Sequence, residues 1–345
     1  MAYEDNILAC YDVTPQERTN LEPLFDERLP GATILWHQEP LLPETVHDED
    51  ERVRALSVFI HSRVTAETLR HFPALRGIAT RSTGFDHIDL TACRERNVMV
   101  SNVPRYGENT VAEHTFALIL DLSRNIHKAY ARTTAGDFNL DGLIGFDLKG
   151  RTLGVIGVGS IGLHVIRIAR AFGMRVLAYD VHPNPLIAEV LDFSHASLED
   201  TLAGADIITL HAPANPSTFH LINRERLAMM KRGAYLVNTA RGSLVDTDAL
   251  LWALNEGILA GAALDVLEGE ELITEDQALL ARENRPNAEE LLRTVVRANI
   301  LLRRPDIVIT PHIAFYSREA LQRILTTSAD NIKAILDGAP QNVVS

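Results

Sequence analysis

Twice along the chain, short β-rich runs alternate with segments of helical periodicity, and that alternation admits few folds: parallel strands covered on both faces by helices. The first series takes Ile7 to Val13, Thr33 to Trp36, Leu56 to His61, Gly77 to Thr80 and Val98 to Val103. The second takes Thr152 to Ile156, Arg175 to Tyr179, Asp206 to Leu210, Ala234 to Asn238, Ala260 to Leu264 and Asp306 to Ile309. Thr14-Pro15 marks a helix start in the first series, since Thr caps orphan amides and Pro is pre-set for a first turn. A single helix is expected from about Asn109 to Arg132, with an apolar stripe through Val111, Ala112, Thr115, Phe116, Leu118, Ile119 and Leu122. A helix of that length bridges domains or packs on a second subunit. The last helical stretch, Ser317 to Leu336, follows the final strand and can return to the first series. With 345 residues there is chain enough for two cores. The expectation is an α/β protein of two doubly wound parallel-sheet domains, 1–104 with 315–345 and 105–314.

Charge and cysteine content exclude several classes of function. Lys and Arg number 33 against 46 Asp and Glu, a net charge of −13 that repels phosphate backbones and anionic lipid. Neither nucleic acid nor membrane is expected as a partner. Cys10 and Cys93 are far apart and match no disulfide framework or metal-ligand spacing, so no metal is expected and a reducing cytoplasm fits best. The start, Met-Ala-Tyr-Glu-Asp, is acidic where a signal peptide is basic, and no apolar stretch reaches the ~18 residues of a membrane span. The chief irregularity is Glu271 to Arg304, a charged, helix-leaning stretch that reads as an insertion.

After the apolar run Leu153-Gly154-Val155-Ile156 comes Gly157-Val158-Gly159-Ser160-Ile161-Gly162, and then a helical pattern through Val165, Ile168, Ala169 and Phe172. This is G-x-G-x-x-G between strand and helix. The first glycine permits a tight turn, the second lets backbone approach a pyrophosphate, and the third lets helix pack on strand. The next strand ends in Asp180, close to the roughly 20-residue offset of a ribose-binding carboxylate. Alone, Asp180 reads as a strand-end turn residue; behind this loop it reads as a ligand for ribose hydroxyls. It also repels a 2′-phosphate, and no Arg follows between Asp180 and Pro185, so the cofactor expected is NAD rather than NADP.

Three further strand ends carry polar residues: Asn238-Thr239-Ala240-Arg241-Gly242, Asp265-Val266-Leu267-Glu268-Gly269-Glu270 and Thr310-Pro311-His312-Ile313-Ala314. Carboxyl ends of strands face the crevice of a doubly wound sheet, so a cation, an acid and a titratable imidazole can meet there. Singly, Arg241 reads as a surface cation, Glu270 as a solvated acid and His312 as a loop histidine. Together they match what reduction of a 2-oxo acid requires: a planar donor fork for the carboxylate and a proton donor where charge builds on the carbonyl oxygen. A carboxylate beside the imidazole stabilises its protonated form. Glu268, Glu270 and Glu271 are rivals for that place.

The chain here resembles the D-isomer-specific 2-hydroxyacid dehydrogenases. The resemblance runs through Ser82-Thr83-Gly84-Phe85-Asp86-His87-Ile88-Asp89, Asn109-Thr110-Val111-Ala112-Glu113-His114, the glycine loop, His211-Ala212-Pro213 and the three strand ends in order. It implies a flavodoxin-like substrate domain, an NAD-binding Rossmann domain, a cleft between them that closes on cofactor and acid, and a homodimer. It implies Arg241 as carboxylate binder, His312 as acid/base and, five positions after Asp265, Glu270 as the partner of that histidine. Gly157, Gly159, Ser160, Ile161, Gly162, Asp180, His211, Ala212, Pro213, Thr218, Thr239 and Ala240 are expected at the cofactor, and Asp265 at its nicotinamide carboxamide. Thr83, Gly84 and Tyr106 are expected at the substrate. Tyr106 and Pro311-His312-Ile313-Ala314-Phe315-Tyr316 look closest to the D-lactate dehydrogenase branch. The same residues leave open oxidation of phosphite, reduction of glyoxylate or hydroxypyruvate, and an NAD(H)-sensing co-repressor-like binding protein. The formate dehydrogenase branch, which lacks a carboxylate where Glu270 stands, fits less well.

Overall fold

A computed structural model describes residues 3–46, 51–270 and 288–344. They form two compact units, Met1–Gly107 with Tyr316–Ser345, and Glu108–Phe315.

The first unit is built on five parallel strands, β1 (Ile7–Cys10), β2 (Thr33–Trp36), β3 (Val53–Val58), β4 (Gly77–Thr80) and β5 (Met99–Ser101). Their order, β2-β1-β3-β4-β5, is that of flavodoxin-like sheets. Helix Pro15–Arg28 starts with a reciprocal cap: the Thr14 hydroxyl accepts from the Glu17 amide at 3.2 Å, and the Glu17 carboxylate accepts from the Thr14 amide at 2.9 Å. The final helix, Arg318–Leu336, is capped by Ser317 and packs Leu325, Ala329, Ile332 and Ile335 with Leu8, Leu21 and Phe25. Strand β3 begins three residues earlier than the apolar run Leu56 to His61 implies. Arg54 obscures its start in the sequence, yet the guanidinium leaves the sheet to reach Asn6 Oδ1 at 3.4 Å, and the chain turns away after Val58.

Among the described residues, the second unit carries seven parallel strands: β6 (Thr152–Ile156), β7 (Arg175–Tyr179), β8 (Ser194–His195), β9 (Ile207–Leu210), β10 (Ala234–Asn238), β11 (Leu259–Leu264) and β12 (Ile307–Ile309). The order β12-β11-β10-β9-β6-β7-β8 reverses direction between β6 and β9, the switch point at which a doubly wound sheet opens a crevice. Both faces are covered, with Val155, Val165, Ile166 and Phe116 on one side and Ile208, Leu236, Leu250 and Leu202 on the other. The edge strand β8 has two residues, too few for a period in sequence to show.

The long helix expected from Asn109 to Arg132 is two helices, Glu108–Arg124 and Ile126–Thr134. Asn125 sits between them at φ 52°, a left-handed conformation that Asn tolerates better than most residues. The carboxylate of Asp121 accepts the His127 amide at 2.7 Å, satisfying an orphan donor of the new helix. Of the stretch read as an insertion, residues 271–287 lie outside the described residues, and Ala288–Leu302 is a helix.

Candidate active site

Because all seven strands of the second unit run parallel, their carboxyl ends share one edge. There the glycine loop follows β6, Asp180 follows β7, His211 follows β9, Thr239 follows β10, Asp265 follows β11 and Thr310 follows β12.

The three glycines of the loop answer three different constraints. Gly157 has φ +96°, and a Cβ there would lie 2.6 Å from the His211 carbonyl carbon and 2.7 Å from the Ala212 nitrogen. At Gly162 a Cβ would lie 2.1 Å from the Gly157 oxygen. Gly159 meets nothing within 4 Å, so nothing in the protein itself requires it to be small. Space left free at the N-terminus of helix Ser160–Ala171, whose first amides no capping side chain engages, suits a pyrophosphate. Ser160 and Ile161 form the first turn of that helix. The Asp180 carboxylate fastens the loop, accepting from the Val158 amide at 2.7 Å and the His182 amide at 2.8 Å, which leaves acceptor capacity for ribose hydroxyls. These residues fit a dinucleotide.

On the other half of the edge, the His211 amide donates to the Ile156 oxygen at 2.7 Å, and its Nε2 lies 2.9 Å from Thr209 Oγ1. Burial pushes the His211 imidazole down to about 3, so it is neutral. Thr218 closes the loop after Ala212-Pro213 by donating to the Pro213 oxygen at 2.7 Å. Thr239 Oγ1 meets Thr115 Oγ1 at 2.9 Å, and the Ala240 amide donates to Asn238 Oδ1 at 3.0 Å.

Arg241 leaves the end of β10 with its Nη1 donating to the Ala240 oxygen at 2.8 Å. The following Gly242 is pressed against the next strand end: a Cβ there would lie 2.1 Å from the Leu267 carbonyl carbon and 2.4 Å from the Glu268 nitrogen. That contact sets the arginine loop beside the acidic one. In the acidic loop, His312 Nδ1 lies 2.7 Å from Glu270 Oε1, while Glu270 Oε2 accepts the Leu267 amide at 3.0 Å. Nδ1 therefore carries a hydrogen toward the carboxylate, and Nε2 is the nitrogen left to face a ligand. Glu268 is engaged elsewhere, by His220 Nε2 at 2.7 Å and the Thr247 hydroxyl at 2.9 Å. Glu271 lies outside the described residues.

Asp265 is buried, and its carboxylate gathers the turn that bears His312. Oδ1 accepts from Thr310 Oγ1 at 2.5 Å and the Ile313 amide at 3.0 Å, and Oδ2 accepts from the Ala314 amide at 2.8 Å. Burial alone would raise this carboxyl, but hydrogen bonds from His114, Thr310 and Ala314 hold it below the usual carboxylate range. Sequence reasoning gave His114 no role of its own. It stood inside a helix motif, and nothing in the spacing links it to residue 265 or 310.

Thr83, Gly84 and Tyr106 belong to the first unit. The Thr83 hydroxyl donates to the Val103 oxygen at 2.8 Å, the Thr83 oxygen accepts from Asn102 Nδ2 at 2.7 Å, and the Tyr106 oxygen accepts from Arg323 Nε at 2.6 Å. Among the described residues, no three His, Cys, Asp or Glu are grouped to hold a metal ion, and no helix is long and apolar enough to cross a membrane.

The profile described as D-isomer specific 2-hydroxyacid dehydrogenase, NAD binding domain, matches residues 116–314. A protein of Schizosaccharomyces pombe named 2-hydroxyacid dehydrogenase homolog 1 is 38% identical over 338 residues, covering 97% of each chain. A solved structure reported for the pyruvate reductase of Chlamydomonas reinhardtii superposes with a TM-score of 0.85 at 34% identity, covering 98% of both chains. Another, the D-lactate dehydrogenase of Aquifex aeolicus complexed with NAD and lactic acid, gives 0.83 at 36% identity, covering 97% of this chain and 96% of that one. With a matching profile over more than half its length and relatives this similar, the chain belongs to the D-isomer-specific 2-hydroxyacid dehydrogenase family and is an NAD-dependent oxidoreductase.

Proposed function

We propose that this enzyme interconverts a small 2-oxo acid and the corresponding D-2-hydroxy acid, with Arg241, Glu270 and His312 as its working residues. The observation that carries the reading is the 2.7 Å pair between His312 Nδ1 and Glu270, which orients an imidazole with Nε2 free at the sheet edge where the nucleotide loop also lies. Arg241 binds the substrate carboxylate through its planar donor fork. NADH held by the glycine loop and Asp180 would supply the hydride for C2. As charge builds on the C2 oxygen, His312 Nε2 delivers a proton to it; in the reverse direction neutral His312 removes that proton. Glu270 stabilises the imidazolium and fixes its tautomer.

Asp180 takes the adenosine ribose, and the second lone pair of Asp265 Oδ2 takes the nicotinamide carboxamide. Thr83 and Gly84 supply backbone amides to the substrate carboxylate, and Tyr106 supplies a hydroxyl. The active form is a homodimer in which a second copy covers an apolar surface. Ile126 and Tyr130 on helix Ile126–Thr134, and Phe138, Leu140 and Ile144 after it, are all more than half exposed, Ile144 at 93%. The cytoplasm is the compartment we assign, supported by the free, buried thiols of Cys10 and Cys93.

Oxidation of NADH, followed by its absorbance, against pyruvate, glyoxylate, hydroxypyruvate and phenylpyruvate tests the reading. Saturable turnover with at least one acid, giving the D-hydroxy product, is the expected result. NADH binding without turnover on any of them overturns it.

A further inference from the structure

We infer that His114 is a positioning residue for the acid/base, acting through the buried Asp265 on the turn that aims His312. The inference rests on the reading of His312 given above.

His312 sits at φ 54°, a left-handed backbone that is unfavourable for a non-glycine residue and persists only where its surroundings impose it. Beside the local Thr310 oxygen, which accepts the His312 amide at 3.0 Å, most of the surroundings come from one residue. Asp265 takes Thr310, Ile313 and Ala314 on its carboxylate, and its main-chain oxygen accepts the His312 amide at 2.8 Å. Residues 310–314 are thus folded around one buried acid. If that acid shifts, the imidazole moves off Glu270.

A buried carboxylate needs something to hold its charge and orientation. Among the described residues, the ion-pair partner of Asp265 is His114, whose Nε2 lies 3.4 Å from Oδ1. The same nitrogen lies 3.2 Å from Thr310 Oγ1. The Thr310 hydroxyl hydrogen is committed to Asp265, so its oxygen can only accept from His114. A bare Nε2 would face lone pairs on both neighbours, and so this nitrogen carries the hydrogen. The result is a chain of donors, His114 to Thr310 to Asp265, with His114 also close to the acid itself.

The helix that bears His114 gives the arrangement its rigidity. Helix Glu108–Arg124 is not part of the sheet, yet adjacent residues on it grip two strand ends: His114 holds the end of β12, and Thr115 meets Thr239 at the end of β10. Thr239 is two residues from Arg241, so one helix braces the loops carrying both the anion binder and the acid/base.

His114→Ala removes the donor and loosens the turn. A misplacement of ~1 Å at a reacting group can cost about 10²-fold. We expect kcat to fall by at least about 10-fold while KM for the 2-oxo acid stays within about 3-fold, because Arg241 is untouched. His114→Gln, which keeps an N–H where Nε2 stood, should recover kcat to within about 3-fold of the parent enzyme. In a His312→Ala background, adding His114→Ala should lower turnover no further, since the effect passes through His312. A parental kcat in His114→Ala, or additive losses in the double variant, overturns the inference. Should His114→Ala prove too unstable to assay, His114→Gln decides: with parental melting temperature, a kcat loss as deep as that of His312→Ala overturns the inference, and near-parental kcat supports it. Full activity of His312→Ala by itself would overturn the proposed function instead.

Discussion

The loop Gly157–Gly162 and the turn Thr310–Ala314 both close strands at the same edge of one sheet, but they are held in different ways. The glycine loop is fixed by its own residues and their near neighbours. Gly162 lies under Gly157, the next strand clips the loop through the Asp180 carboxylate on the Val158 amide and the Tyr179 oxygen on the Gly157 amide, and the backbone of His211 packs against Gly157. The histidine turn has one short-range bond, from the His312 amide to the Thr310 oxygen at 3.0 Å, and otherwise depends on distant residues. Its shape comes from Asp265, forty-seven residues upstream, and from His114 on a helix almost two hundred residues away. The first is a cradle whose glycines are written over six consecutive positions; the second is an assembly of residues from distant parts of the chain.

The comparison yields experiments that differ in size. At the histidine turn, His312→Ala should lower turnover by about 10²- to 10⁴-fold while NADH affinity measured by fluorescence is retained. Near-parental turnover would remove the turn from catalysis altogether. Glu270→Gln keeps the shape and removes the charge that stabilises the imidazolium, so a smaller loss, about 10²-fold or less, is expected in the reduction direction. At the glycine loop two alanine substitutions separate folding from binding. Gly162→Ala forces a Cβ to 2.1 Å from a carbonyl oxygen and should destabilise the second unit by about 1–3 kcal/mol in urea unfolding, with NADH binding lost alongside. Gly159→Ala meets nothing in the protein, so stability should stay within about 0.5 kcal/mol while the NADH Kd rises. Equal destabilisation by both would erase the distinction between the two glycines.

A pH-dependent effect concerns His211, against which Gly157 packs. Its folded pKa of about 3 lies below the ordinary 6.5, so between those values the unfolded chain binds a proton that the native chain does not. Stability therefore rises with pH across that window and is lost on acidification. His211→Asn should flatten this slope in unfolding measured from pH 4 to 7; an unchanged slope would show that other groups carry it.

Much of the fold was legible because parallel strands buried on both faces read as apolar runs, and β6, β7 and β10 stand at the residues those runs marked. Where the sequence misled, a tertiary partner intervened. Arg54 hid the start of β3 because its path to Asn6 is not local, and Asn125 split a helix whose periodicity ran on because Asp121 offered a new cap and the left-handed backbone ended the old one. The site shows the same division. Arg241, Glu270 and His312 announced themselves as polar residues at strand ends, but which of several acids meets the imidazole was a matter of resemblance until Glu268 was found bound to His220 and Thr247.

By itself, then, the order of residues determined the strand-and-helix alternation, the nucleotide loop and the inventory of charged groups at the sheet edge, because each is written over a few consecutive positions. Only the tertiary structure decided that Glu270 faces His312, that Asp265 folds the turn around itself and that His114 stands behind both. Those contacts join residues dozens to hundreds of positions apart, and a carboxylate chooses its donors by distance in space, which no local pattern encodes.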